Sequence, residues 1–271
     1  MMLFLFIFGL CLGSFLNVVA LRLAAGERFV ISRSNCPHCG GNLRWWELIP
    51  LISFLLLGGR CARCRGRISL RYPLVELATG LISVNLWRVA AQQPGAWIIF
   101  LYYFSLVAAL EVLALLDFET QYIDERIIIA AVIAWAFLQL ALVYFGAAMP
   151  PALGGFLNGV LSWPPGPLGQ LALAVLAAMP FLFLFTITLG RGMGLGDAKV
   201  AALMGLYLVP GDLVLSLLTT IALGGCVGLA LLAVRRRFGQ AIPYVPFLFL
   251  GTVATLFWGE TITRTALILI R

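Results

Sequence analysis

Asp197 lies in the stretch Gly192-Met193-Gly194-Leu195-Gly196-Asp197-Ala198-Lys199, directly after an apolar run that starts near Leu171. Asp117 ends another apolar run, Trp97 to Leu116. A carboxylate at the edge of a membrane segment is costly unless something pairs or uses it. Two aspartates at the ends of two hydrophobic helices could meet at one membrane face. Facing carboxylates that share one proton are a hydrolytic device: one activates water while the other protonates. The glycines ahead of Asp197 are expected to adopt torsions closed to other residues and to leave room for a peptide backbone. An extended substrate could then add to the exposed edge of that turn.

A second group of residues points to metal. Four of the six cysteines form Cys36-Pro37-His38-Cys39 and Cys61-Ala62-Arg63-Cys64, with 21 residues between Cys39 and Cys61. Two such hairpins can place four thiolates tetrahedrally around one Zn²⁺ at about 2.3 Å each. Four protein ligands leave no open position for water, so the expected role is structural, not catalytic. A polar loop of this size has little core, and a bound metal could supply much of its folding free energy. His38, the one histidine, reads as a bystander between two ligands. Cys11 and Cys226 lie in apolar runs and read as small buried hydrophobes.

The elements that carry these residues are membrane helices. The chain of 271 residues is 62% hydrophobic and 11% charged, with a mean hydropathy of +1.05. Soluble domains average about 25% charged residues, so the fold class expected is an all-α polytopic membrane protein. Spanning takes about 20 apolar residues per helix. The runs are Met1–Leu21, Leu74–Ala91, Trp97–Leu116, Ile127–Phe145, Leu168–Leu189, Ala198–Val209, Leu213–Val234 and Pro243–Trp258. That makes about eight transmembrane helices, the sixth a short or tilted half-span cut by Pro210-Gly211. Pro150-Pro151 and Pro164-Pro165 punctuate the preceding breaks. The first run has no basic residue before it and carries Ser14 and Asn17, so it reads as a retained helix and not a cleaved signal. The one sizeable polar insertion, residues 22–73, follows it.

Charge placement sets orientation. Nine arginines fall between Arg22 and Arg71. Arg126, Arg191, Lys199 and Arg235-Arg236-Arg237 fall on the same side when the spans alternate, giving 15 of the 18 basic residues. Only Arg88, Arg264 and Arg271 fall opposite. The crowded side is expected to be cytoplasmic, and with it the cysteine loop, Asp117 and Asp197. The net charge of +7 therefore follows the lipid bilayer, and no nucleic-acid partner is expected. Within the loop, Trp45-Trp46 through Leu57 is too short to span and should lie on the membrane surface.

The eleven acids are few enough to take singly. Glu27 and Glu47 read as partners of loop arginines, and Asp212 and Glu260 as interfacial charges on the outer side. Glu76 and Glu111 read as structural partners or ligand contacts. Asp117-Phe118-Glu119-Thr120-Gln121-Tyr122-Ile123-Asp124-Glu125 holds four acids. Asp117 is the one nearest the hydrocarbon. Asp124, seven residues on, falls on the same helical face if the helix continues, and is the fallback for the catalytic pair.

These residues together resemble the bacterial type IV prepilin peptidases, also called leader peptidase/N-methyltransferases. Gly13-Ser14-Phe15-Leu16-Asn17-Val18-Val19 with Arg22 is similar to the family's first-helix signature. Ser34-Asn35-Cys36-Pro37-His38-Cys39 through Trp45-Trp46-Glu47-Leu48-Ile49-Pro50 to Cys61-Ala62-Arg63-Cys64 resembles its zinc loop. Arg71-Tyr72-Pro73-Leu74-Val75-Glu76-Leu77, the Gly-x-Gly-Asp stretch ending in Lys199, and Ile242-Pro243-Tyr244-Val245-Pro246-Phe247 complete an end-to-end match. The resemblance implies a membrane-embedded aspartic endopeptidase with Asp117 and Asp197 catalytic and Cys36, Cys39, Cys61 and Cys64 holding structural Zn²⁺. It implies prepilin or pseudopilin precursors as substrates, cut after a glycine at the cytoplasmic face of the bacterial inner membrane. It also implies N-methylation of the new terminus from S-adenosylmethionine. The corresponding division is a first helix at 1–21, the zinc loop at 22–73 and the peptidase core at 74–271. One position departs: where the family carries Pro then Asp or Asn, seven and eight residues after the first aspartate, this chain has Asp124 and Glu125.

Gly194, Gly196, Lys199 and Asp124 are the expected substrate contacts, and the acids Glu119, Asp124 and Glu125 the expected seat for a basic leader. No glycine-rich nucleotide fingerprint places the methyl donor, so a peptidase without methyltransferase activity is one alternative. A membrane transporter with broken helices is another, but no inverted repeat is evident and the acids gather at one face. A presenilin-type protease would share the Gly-x-Gly-Asp turn without the four-cysteine loop.

Overall fold

A computed structural model describes residues 1–27, 34–145, 166–190, 192–235 and 242–270. The predicted breaks at Pro150-Pro151 and Pro164-Pro165, and the topogenic Arg191, Arg236, Arg237 and Arg271, lie outside them. Among the described residues the fold is helical, with no strand. The helices are α1 (Met2–Ala24), α2 (Ile52–Leu56), α3 (Arg71–Ala90), α4 (Ala96–Thr120), α5 (Glu125–Tyr144), α6 (Pro167–Thr188), α7 (Leu195–Tyr207), α8 (Pro210–Arg235) and α9 (Val245–Ile270). Each of the eight predicted apolar runs is one of these helices. Six are long and apolar enough to cross a membrane: α1, α4, α5, α6, α8 and α9. The protein is a multi-pass membrane protein. The other two predicted spans fall short for different reasons. Helix α3 carries Glu76, Thr79, Ser83, Asn85 and Arg88 along its length, and α7 has only 13 residues.

The chain divides into two compact units, Met1–Trp87 and Arg88–Arg271. In the first, α1 and α3 approach through small residues. A Cβ on Gly9 would come within 2.8 Å of Gly80 Cα, and one on Gly13 within 2.6 Å of Thr79 Oγ1. Helix association in lipid relies on such close packing, because lipid tails are as apolar as leucine. The cysteine loop between these helices is tied to α3 by Glu76, which is buried and whose Oε2 accepts the Leu51 N–H at 2.9 Å. Glu76 is thus a structural anchor. Trp45, Leu55 and Leu56 of the loop are exposed.

In the second unit α4 is the central element, with 72% of its apolar window buried. It packs against α5 and α9; α7 lies along α6, and α8 along α9. Gly205 permits the α6–α7 approach, since a Cβ there would sit 2.6 Å from Ala174 Cα. One end of this bundle is fastened by buried polar groups. Gln170 Nε2 donates to Tyr102 Oη at 3.0 Å, and Trp135 Nε1 donates to Gln170 Oε1 at 3.0 Å. The Tyr102 hydroxyl lies 3.2 Å from the carbonyls of both Leu206 and Tyr207, at the C-terminus of α7. Those carbonyls have no intrahelical donor, so a side-chain hydroxyl substitutes for the missing turn. Asp212, expected as an interfacial charge, is fully buried in the first turn of α8. The sequence places it next to a break, but the break itself is packed inside.

Candidate active site and metal centre

The opposite end of the second unit is open. There the C-terminus of α4, the N-termini of α5, α7 and α9, and the turn after α6 surround a cleft of about 730 Å³. Asp117, Glu125, Asp197 and Lys199 line it, with Tyr122 and Tyr244. Both predicted aspartates therefore face one space.

Asp117 is in the last turn of α4 and is buried. Its Oδ2 accepts the Val245 N–H at 3.0 Å. That donor is one of the unpaired N–H groups at the start of α9. Asp197 occupies the first turn of α7, where its Oδ2 accepts the Gly194 N–H at 3.2 Å. This is one half of a capping box, with the side chain reaching back to the residue before the helix. The Asp197 carboxyl is pushed up to about 6, first by loss of solvent and then by the charge of Asp117. The two carboxylates thus act on each other electrostatically, which favours holding one proton between them.

The torsions expected of the turn's glycines are not what requires them. Positive φ falls on Gly190 (φ 76°), and Gly192, Gly194 and Gly196 have no such torsion. Packing explains two of them. A Cβ on Gly196 would lie 3.1 Å from Ile123 Cβ, and one on Gly192 3.0 Å from Thr188 Cγ2. Around Gly194 the nearest neighbour is Asp197 Oδ2 at 3.7 Å. Gly196 lets the α4–α5 turn press against α7, and Gly194 leaves the wall beside Asp197 bare.

Asp124 does not continue the face of Asp117. Helix α4 stops at Thr120, and Gln121 takes a left-handed torsion (φ 54°). Asp124 instead caps α5, accepting the Arg126 N–H at 2.9 Å and the Arg126 Nη2 at 2.6 Å. The Arg126 guanidinium holds its carboxyl below the ordinary value. Asp124 is absent from the cleft lining, whereas its neighbour Glu125 is present and pairs with Lys199. The continuation failed because the sequence around Gln121 carries no glycine or proline to mark a stop. Tyr244 was missed as well: its motif was visible, but nothing local assigned it a role.

The first unit holds the cysteine cluster. The loop contains the same hairpin twice. Isolated bridges pair Asn35 with Asn42 and Arg60 with Arg67. The Cys36 N–H donates to Gly41 O at 3.0 Å and the Cys61 N–H to Gly66 O at 2.9 Å. Gly40 (φ 66°) and Arg65 (φ 59°) turn the chain at matching positions. The four ligand atoms of Cys36, Cys39, Cys61 and Cys64 lie within 4.8 Å of one another, and Cys36 Sγ is 3.9 Å from Cys64 Sγ. Tetrahedral Zn–S bonds of about 2.3 Å require sulfur separations of about 3.8 Å. Backbone N–H groups of Cys64 and Arg63 favour the Cys61 thiolate, lowering its pKa to about 7. The donor set fits a four-thiolate metal site. His38 is no ligand here; its Nε2 lies 3.1 Å from Arg67 O and joins one hairpin to the other.

Comparison with known proteins agrees with this architecture. Residues 7–89 match the bacterial peptidase A24 N-terminal domain, and residues 104–229 match the type IV leader peptidase family. A prepilin leader peptidase/N-methyltransferase of Pseudomonas putida is 33% identical over 94% of this chain and 90% of its own length. One from Pseudomonas aeruginosa is 32% identical over 96% and 91%. One from Myxococcus xanthus is 57% identical over 29% of this chain and 24% of its own length. No solved structure matches the chain significantly. With its first unit matching the A24 N-terminal domain, its second the peptidase region, and full-length relatives at about one-third identity, the chain belongs to the type IV leader peptidase family.

Proposed function

We propose that this protein is a membrane-embedded aspartic endopeptidase that removes the leader from type IV prepilins or pseudopilins, with Asp117 and Asp197 as the catalytic pair. The observation that carries this reading is the shared cleft: two carboxylates from different helices line one space, and the charge of Asp117 raises the Asp197 carboxyl. One carboxylate takes a proton from water as the water attacks the scissile carbonyl. The other, protonated, hydrogen-bonds the carbonyl oxygen and then passes its proton to the leaving amine. The pair titrates as a unit, so the roles belong to the pair and not to either residue.

The arginine distribution supports a cleft at the cytoplasmic face of the bacterial inner membrane. A basic leader meets an arginine-rich surface there, and Glu125 is the acid that can receive it. Asp124 is held by Arg126, whereas Glu125 is exposed and pairs with Lys199. A leader cation would exchange with Lys199 for Glu125. Gly194 leaves room for the extended peptide beside Asp197.

The four cysteines would hold structural Zn²⁺. Cys36 and Cys61 are buried and Cys39 and Cys64 exposed, so the metal would be gripped between the hairpins with no position left for water. S-adenosylmethionine would supply the methyl group for the amine that cleavage frees, and a cleft bearing three carboxylic acids, Asp117, Glu125 and Asp197, suits a sulfonium cation by charge.

The test uses the purified full chain in detergent and a precursor peptide, read by mass spectrometry with and without S-adenosylmethionine. Cleavage after the leader glycine, with a 14-dalton gain only when the donor is present (one methyl group), is the expected result. Full cleavage by Asp117→Asn or Asp197→Asn would remove the assignment. Cleavage without the mass gain would leave a peptidase that does not methylate.

A further inference from the structure

Tyr244 stands in the cleft wall with no role in the scheme above. It is the last residue before α9, and the Val245 N–H that fixes Asp117 follows it directly. The segment Ile242-Pro243-Tyr244 lines the same cleft as the Gly192–Gly196 turn. The Tyr244 ring is set between two aromatic neighbours, 6.1 Å from Phe181 and 6.5 Å from Phe247 between centroids. Both contacts are tilted, and aromatic neighbours on two sides restrict the ring plane. The ring's position is therefore set by α6 and α9, and not by its hydroxyl. Among the described residues no hydrogen-bond partner satisfies that hydroxyl. Tyr122, the other tyrosine in the cleft, is 63% exposed and has no comparable ring packing. A rigidly mounted donor with no protein acceptor, beside two carboxylates that process a carbonyl, has one obvious use.

We infer that Tyr244 is a third catalytic residue, whose hydroxyl donates a hydrogen bond to the scissile carbonyl oxygen and to the negative charge that develops there. The inference rests on Asp117 and Asp197 being the catalytic pair. A donor aimed at developing charge in a water-poor site gains strength as the oxygen becomes anionic. The phenol is suited to remain a donor. Loss of solvent, and then the charge of Asp197, raise its pKa above the ordinary tyrosine value. The other ionisable groups in the cleft are Asp117, Tyr122, Glu125 and Lys199. Of these, the carboxylates accept when ionised, and Lys199 is held by Glu125. No bond to Tyr244 forms or breaks, and its proton stays in place throughout the reaction.

The experiment compares wild type, Tyr244→Phe and Asp197→Asn as purified full-length proteins with a precursor peptide. Phenylalanine keeps the ring and its contacts with Phe181 and Phe247, so a purely structural role predicts wild-type kinetics. The expected result is a fall in kcat of about 100-fold, with KM within about twofold and an unchanged melting temperature. A second variant replaces Tyr244 with a fluorinated tyrosine, whose more acidic phenol ionises at lower pH. It keeps a donor hydroxyl on the same ring, so at a pH where the phenol stays protonated its kcat should stay within about threefold of wild type. A Tyr244→Phe kcat within about threefold of wild type would overturn the inference. So would a fluorinated variant as slow as Tyr244→Phe, or a kcat loss accompanied by an equal loss of thermal stability. If Tyr244→Phe is normal while Asp197→Asn is inactive, this inference alone fails. If Asp197→Asn cleaves normally, the catalytic pair itself has been misassigned.

Discussion

The cysteine loop and the acid cleft solve opposite problems. Each brings together side chains distant in sequence. The loop does so by repeating one hairpin, so that Cys36, Cys39, Cys61 and Cys64 converge on a point with no room for anything else. The cleft joins unlike pieces: a helix C-terminus, three helix N-termini and a turn, leaving about 730 Å³ unfilled. A closed donor set is built to hold. An open pair of acids, desolvated but unbridged, is built to react. The difference shows in how each charge is compensated. The loop's sulfurs would share one dication, whereas Asp117 accepts the Val245 N–H and Asp197 the Gly194 N–H, backbone donors that carry no full charge.

This contrast can be broken by exchanging the two kinds of damage. Asp117→Asn and Asp197→Asn should each lower kcat by about 1000-fold or more with no fall in melting temperature. If either variant unfolds instead, its aspartate is structural and the contrast collapses. Cys61→Ser should do the reverse. Metal content, measured by elemental analysis, should fall from one per chain, and the loop should become protease-sensitive, because metal binding and loop folding are one event. A folded, protease-resistant loop in the metal-free variant would show that the hairpins need no ion.

A subtler test uses pH. The Asp197 carboxyl, at about 6 in the fold against 3.8 unperturbed, binds its proton more tightly folded than unfolded. Stability is therefore present below about pH 4 and is lost as pH rises to about 6. Asp197→Asn removes that loss. It should be more stable than wild type at pH 7.5 by on the order of 1–3 kcal/mol and should show little difference at pH 4. Thermal unfolding at the two pH values reads this directly, and equal differences at both would mean that the site is not desolvated. The smallest effect belongs to Asp124. Its replacement by Ala removes the α5 cap and should cost about 1 kcal/mol with kcat largely intact. A collapse of kcat would return Asp124 to the catalytic machinery.

Much of the molecule was legible from sequence because membranes impose strong patterns. The eight apolar runs, the two Cys-x-x-Cys pairs and the glycine-rich turn before Asp197 each carry their signal locally. What stayed hidden depended on packing between distant segments. The helix stop at Gln121 has no breaker residue, so Asp124 appeared to continue the face of Asp117. Gly196 reads as a residue that frees the backbone and admits a peptide, but it is required because Ile123 presses against it. Asp212 reads as an interfacial charge beside Pro210-Gly211, and only the fold reveals that this corner is enclosed. Tyr244 belongs to a recognisable string of residues, yet its place between Phe181 and Phe247 follows from α6 and α9 meeting.

Helix α7 is fastened at both ends. The Tyr102 hydroxyl grips the carbonyls of Leu206 and Tyr207, and the Gly194 N–H grips the carboxylate of Asp197 at the far end. Its 13 residues therefore act as a caliper about 20 Å long, setting how deep the acid sits. A calibrated rod tolerates changes of side chain far better than changes of length. One residue inserted between Ala201 and Leu206 would swing Asp197 about 100° around the axis, out of register with Asp117, without altering a single atom of the cleft's chemistry.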